Sequence, residues 1–239
     1  MPDEPEYIIA GNRVPFEYFP TKGIGESDIT IHAGSLDDAM ENAGIENFNL
    51  LKYTSIMPAI ARKVERPKRD VFELNYKGKA KIVHGSVCEA IMAHADCRYG
   101  DRATAGLVIG WIYDKQSSKR YGGLVAEYTG DDEEPKAQET LRKMMDRMGK
   151  ERLKNRKNLE LRDVETETAT IVPKKKFGTA IVAIGFLSYV IPTYGKLDQK
   201  KMDELYAYKS LDIPKVDGKV AAPKTETAAN GTAAPRQVA

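Results

Sequence analysis

Dense or alternating apolar residues fill three blocks of the chain, residues 80–95, 104–113 and 123–128. Polar segments at 96–101 and 114–121 separate them, the pattern of neighbouring antiparallel strands. Two more strands are predicted at 161–172 and 177–189, around a Pro173-Lys174-Lys175-Lys176 turn, with shorter ones at 47–53 and 71–76. Gly23-Ile24-Gly25 reads as a turn, after which Ile29, Ile31 and Ala33 alternate with Asp28, Thr30 and His32 as a short half-buried strand. Helical spacing replaces alternation twice. Leu36, Ala39, Met40 and Ala43 fall on one face, between a Ser35 that can cap the start and a Gly44 that can end it. From Glu133 to about Asn158, Ala137, Leu141, Met144, Met145, Met148 and Leu153 repeat every three or four residues. Acidic residues open this helix and basic ones close it, as the helix dipole favours. Several antiparallel strands with a few amphipathic helices imply an α+β sandwich.

The flanks read differently. Pro2, Pro5, Pro15 and Pro20 interrupt any periodicity in residues 1–20, an irregular arm, and residues 21–212 form the expected domain. From residue 213 a Pro/Ala/Thr/Lys-rich composition reads as a disordered tail. With 30% charged residues but a net charge of only +2, no global field calls for a polyanionic partner. Arg142 to Lys157 carries eight basic residues, yet Asp146 and Glu151 interrupt them and no aromatic is interleaved; a solvated helix face is expected rather than a nucleic-acid surface. The acidic N-terminus lacks the order of a secretion leader. The apolar run from Gly178 to Pro192 is too short for a membrane span of roughly 20 residues and reads as a buried strand. Two cysteines make no disulfide framework, which points to a reducing cytoplasm. His84, Cys88, His94 and Cys97 suggest metal ligands, but on one continuous strand the two histidines would stand about 33 Å apart, so no metal is expected.

The stretch richest in chemistry is Asn47-Phe48-Asn49-Leu50-Leu51-Lys52-Tyr53-Thr54-Ser55-Ile56-Met57-Pro58. It resembles the self-cleavage site of pyruvoyl-dependent arginine decarboxylases. Gly122-Gly123-Leu124-Val125-Ala126-Glu127-Tyr128 and Lys176-Phe177-Gly178-Thr179-Ala180-Ile181, with Gly185-Phe186-Leu187 behind it, resemble the same family, as do Gly23-Ile24-Gly25-Glu26-Ser27 and Ala43-Gly44-Ile45-Glu46-Asn47. The resemblance implies an αββα sandwich on antiparallel sheets, assembled as a trimer or a dimer of trimers with the active site between subunits. It also implies L-arginine as substrate, agmatine and carbon dioxide as products, and a covalent pyruvoyl group made from Ser55 as the cofactor.

Decarboxylating an amino acid leaves electrons on Cα that no ordinary side chain absorbs; a carbonyl condensed with the substrate amine does, as a protonated imine. On this reading Ser55 Oγ attacks the Thr54 carbonyl, and the resulting ester eliminates. The chain then divides into a β chain, residues 1–54, and an α chain, residues 55–239. Asn49 matches a family position implicated in processing, and its amide can polarise the Thr54 carbonyl. Glu127 matches the position that protonates the decarboxylated Cα, and its small apolar flanks predict a poorly solvated carboxyl suited to a general acid. Asp37 matches the position that meets the guanidinium, with its neighbour Asp38 turned away as an ordinary first-turn acid; Glu46 and Phe48 line the pocket. Two rivals are weighed: the same chemistry on lysine or ornithine, and an uncleaved sandwich that binds an arginine-like ligand or a protein partner.

Overall fold

A computed structural model describes residues 7–66, 73–76, 80–198 and 200–201. In chain order the elements are β1 (Tyr7–Ala10), β2 (Val14–Ser27), a helical turn at Ile31–Ser35, α1 (Leu36–Ala43), β3 (Asn49–Lys52), β4 (Ile56–Pro58), β5 (Arg62–Lys63), β6 (Glu73–Tyr76), β7 (Ala80–Val83), β8 (Val87–Arg98), β9 (Ala103–Asp114), β10 (Arg120–Gly130), α2 (Glu134–Leu153), β11 (Leu159–Ile171), β12 (Phe177–Val190) and β13 (Thr193–Leu197). Gly11–Pro192 is one compact unit, and the antiparallel β1–β13 pair belongs to a second.

Two sheets build the larger unit: β3-β8-β12-β2-β5 and β11-β9-β10-β4, with β6 and β7 paired as a separate hairpin. Ile91, Val182, Ile184 and Phe186 of the first face Leu107, Ile109, Trp111 and Val125 of the second in one buried core. The outer face of the five-stranded sheet carries α1, whose Ala39 and Ala43 pack on Phe19, Cys88 and Ile181. The outer face of the four-stranded sheet carries α2, through Leu141 and Met145 on Val108, Ile112 and Leu124. Helix, sheet, sheet and helix therefore stack in four layers. Buried on both faces, β9 and β12 read as near-continuous apolar runs in the sequence for that reason.

Several expectations are corrected. The five-stranded sheet is mixed, because β3 runs parallel to β8 and β5 parallel to β2. Residues 80–95 are not one strand: β7 ends at Val83, and a turn through Gly85, whose φ is +83°, starts β8 afresh. Glycine adopts that backbone at no steric cost, and the apolar residues on either side concealed it. The segment expected as a strand at 29–33 leads instead into the helical turn, closed by Ser35 N–H donating to the Thr30 carbonyl at 3.2 Å. Ser35 makes no side-chain cap; its buried hydroxyl meets Thr179 Oγ1 at 2.9 Å, and Gly44 does end α1 in the left-handed region.

β2 begins at Val14, inside the stretch read as irregular, and runs straight through Gly23 and Gly25. Its prolines are tolerated because, among the described residues, β5 pairs only with Glu17 and Tyr18 and no other strand pairs along that edge. The two glycines do not make a turn. They let α1 approach: a methyl on Gly23 would lie 2.6 Å from Ala43 N, and one on Gly25 2.7 Å from Asp38 Cβ. The tail from residue 213 lies outside the described residues, and no helix among the described residues is long and apolar enough to cross a membrane.

Candidate active site

Between Lys52 and Ile56 the chain passes from one sheet to the other. Tyr53 N–H still donates to the Ala90 carbonyl of β8 at 2.8 Å, and its ring packs on Phe186. Three residues later Ile56 opposes Leu124 of β10, in the other sheet. Thr54, exposed, and Ser55, half-buried, form the crossing. Each flanking carbonyl has a donor. Val125 N–H meets the Ser55 oxygen at 3.0 Å, and Ile56 N–H meets the Thr54 oxygen at 3.1 Å, a three-residue turn centred on Ser55. The carbonyl that Ser55 Oγ would attack is therefore already polarised, by a backbone group.

Neighbouring side chains hold this crossing in place. Gly123 makes room for it, since a methyl there would lie 2.9 Å from both Met57 Cβ and the Trp111 ring. Beyond β4, Arg120 stacks over Trp111 at 4.1 Å and donates to the carbonyls of Ala59, at 2.8 Å, and Ala61. On the other sheet Glu89, only 2% exposed, lies beside Leu51 of β3 and is ion-paired with Arg13. The Arg13 guanidinium in turn lies 5.1 Å from the centroid of the Tyr189 ring. Burial pushes the Tyr189 hydroxyl well above its ordinary range. The segment after β4 is thus held by a stacked arginine, and β8, the neighbour of β3, carries a buried acid paired with another arginine.

Glu127 stands on β10, opposite Leu107, two residues beyond the Val125 that binds Ser55. Val125 and Ala126 before it are buried as expected, but the Glu127 side chain is 23% exposed and its Oε2 lies 2.9 Å from Lys52 Nζ. The acid is therefore not isolated among apolar neighbours; it has a cation from the strand that precedes the junction. Sequence reasoning passed over Lys52 as a partner of Glu127, because the two residues lie on different sheets.

Asn49 donates its amide to the Gly85 carbonyl at 2.7 Å, tying the start of β3 to the turn before β8 rather than reaching Thr54 in this chain. Asp37 is exposed on the first turn of α1, which packs on β2 and β12 from the outer side. Phe48 packs with the same outer cluster, and Glu46 accepts from Asn47 Nδ2 at 3.2 Å. One chain thus gathers Lys52, Thr54, Ser55 and Glu127, and leaves Asp37 and Phe48 on the helix-covered face. A groove of about 370 Å³ opens next to Ile56 on the α2 side, lined among others by Leu124, Leu153, Arg152 and Arg156; Glu127 takes no part in it.

Comparison with known proteins shows the family. The profile of the pyruvoyl-dependent arginine decarboxylase family matches residues 17–191, from β2 to the end of β12. The chain is 32% identical over 201 residues to pyruvoyl-dependent arginine decarboxylase AaxB of Chlamydia muridarum, covering 75% of this chain and 94% of that protein. The Chlamydia trachomatis AaxB protein is 31% identical over the same span, 75% of this chain and 94% of its own. The pyruvoyl-dependent arginine decarboxylase of Pyrococcus abyssi is 29% identical over 157 residues, 65% of this chain and 85% of that protein. A profile match that spans both sheets and both helices, with Ser55 and Glu127 inside it, places the chain in the pyruvoyl-dependent arginine decarboxylase family.

Proposed function

We propose that the chain is a self-processing decarboxylase that converts L-arginine to agmatine and carbon dioxide, with Ser55 as the source of its pyruvoyl group. The observation that carries this reading is the Thr54–Ser55 crossing itself, with its Thr54 carbonyl hydrogen-bonded and the Lys52–Glu127 pair beside it. Cleavage consumes one water and releases ammonia: the serine ester eliminates to a Thr54 carboxylate and a dehydroalanine, which hydrolyses to the α-keto group. That group, once formed, supplies the electron sink that decarboxylation needs. The side chains around it bind and orient the substrate and manage its proton. Glu127 delivers the proton to Cα, and Asn49 serves processing by fixing β3 against β8. Asp37 receives the guanidinium as a bidentate, charge-assisted pair, with Glu46 and Phe48 lining the pocket.

Since one chain does not bring Asp37 to Ser55, the complete site is proposed to form between subunits of a trimer. Leu51, Ile56, Ile60 and Tyr121 support this, leaving large apolar side chains exposed around the junction and its edge strands. Cys88 and Cys97, both free and buried, suit a reducing cytoplasm.

Denaturing electrophoresis with intact mass tests the reading. Wild type should give fragments of roughly 6 and 21 kDa, by residue share. The larger should weigh about 17 Da less than a serine-started chain, because ammonia is lost overall as the amine carbon becomes a carbonyl and the hydroxymethyl a methyl. Ser55→Ala should remain whole and release no carbon dioxide, and wild type should use arginine ahead of lysine and ornithine. A single uncleaved chain that still decarboxylates arginine would reject self-processing, and faster release from lysine or ornithine would favour the first rival.

A further inference from the structure

The Lys52–Glu127 pair joins residues that end up on opposite sides of the cleaved bond. Lys52 is the last residue of β3 and lies in the β chain; Glu127, on β10, lies in the α chain. Their 2.9 Å contact is formed while the Thr54–Ser55 peptide is intact, when the crossing carries no charge of its own. Cleavage changes that. The elimination leaves a full carboxylate on Thr54, two residues from Lys52 on the same short segment. Lys52 Nζ is half exposed and sits on a flexible four-carbon stem, so it can reach either anion. At such separations two carboxylates compete directly for one ammonium, and the newer one is attached to the same chain as Lys52.

Resting on the functional reading above, we propose that Lys52 is a positioning residue for Glu127, and that self-cleavage hands its charge from Glu127 to the new Thr54 carboxylate. In the whole chain Lys52 holds Glu127 to the rim between the sheets and keeps its carboxylate engaged. After cleavage Lys52 neutralises the β-chain terminus, which otherwise would set a second anion against Glu127. Glu127 is then left without its cation, among the small and apolar residues of β10, and faces the substrate. The acid becomes available at the step that creates the cofactor, so an unprocessed chain has neither.

Zero-length carbodiimide coupling reads the contact without using activity, because it joins an amine and a carboxylate only when they touch. In the uncleavable Ser55→Ala chain, peptide mass mapping should find Lys52 joined to Glu127, and Glu127→Gln in that background should abolish the product. In processed wild type the same bond would fuse the two chains into one band; its yield should be at least about tenfold lower. Equal yields in the two states overturn the transfer.

The kinetic arm uses processed enzyme. Lys52→Met should still cleave, but its kcat for arginine should fall about tenfold with KM nearly unchanged, and Lys52→Arg should restore most of it. An unchanged kcat, or failure of Lys52→Met to cleave while Lys52→Arg cleaves, overturns the positioning role. Failure of wild type itself to cleave or to release carbon dioxide from arginine is a different result, and sinks the functional reading instead.

Discussion

Glutamine at position 127 keeps the size of the side chain and its place on β10, and removes its ability to hold and release a proton. The two carbonyls at the junction take their hydrogen bonds from Ile56 and Val125 N–H groups, neither of which belongs to Glu127. Glu127→Gln should therefore process normally, yet release carbon dioxide at least about 10²-fold more slowly, the usual worth of a placed proton donor. Near-normal turnover would exclude the protonation role. Much of this residue's setting was legible: Gly122, Gly123, Val125 and Ala126 announce a tight strand around one acid. Lys52 was not legible, because nothing in a local window shows which strand of the second sheet will pass overhead. Nor was the donor to Thr54, since a backbone N–H is carried by every residue but proline and leaves no mark in the sequence.

Strand β9 was readable as an apolar run of about ten residues between polar segments, and helix α2 because it carries its helical period over twenty. The elements that misled are those in which a glycine or proline has a tertiary reason. Gly23 and Gly25 look like a turn, but their missing side chains are where α1 settles onto β2. Gly25→Ala tests this at the scale of the element. Its methyl would meet the Ser35 carbonyl and the Ala39 amide, which cannot step aside without moving the helix. A stability loss on the order of 1–3 kcal/mol is expected in chemical denaturation, the usual cost of overpacking. Gly122→Ala, whose methyl would lie 3.4 Å from its nearest neighbour, the Met57 carbonyl oxygen, should cost clearly less. Equal losses would mean that the helix yields easily and the close approach is incidental.

For the molecule as a whole, the sandwich class followed from strands and amphipathic helices. The four-layer order followed only from the family resemblance, and the parallel pairings of the short β3 and β5 left no pattern to read. The placement of β2 has one more consequence. β2 pairs with β12 along nearly its whole length and carries the fully buried Phe19, while α1, which follows it in the same fragment, covers that face of the sheet. Cleavage at Ser55 would leave this strand and this helix on a separate polypeptide, threaded into the body formed by the rest. The processed protein would then fold once as a single chain and never again in that way. Diluted from denaturant, the whole Ser55→Ala chain should recover the fold of its subunit at a rate independent of protein concentration. The processed pair should recover only by second-order association, faster when extra β chain is supplied. Its unfolding and refolding curves should fail to overlay, so the working lifetime of the mature form would be set by how slowly β2 leaves the sheet rather than by an equilibrium.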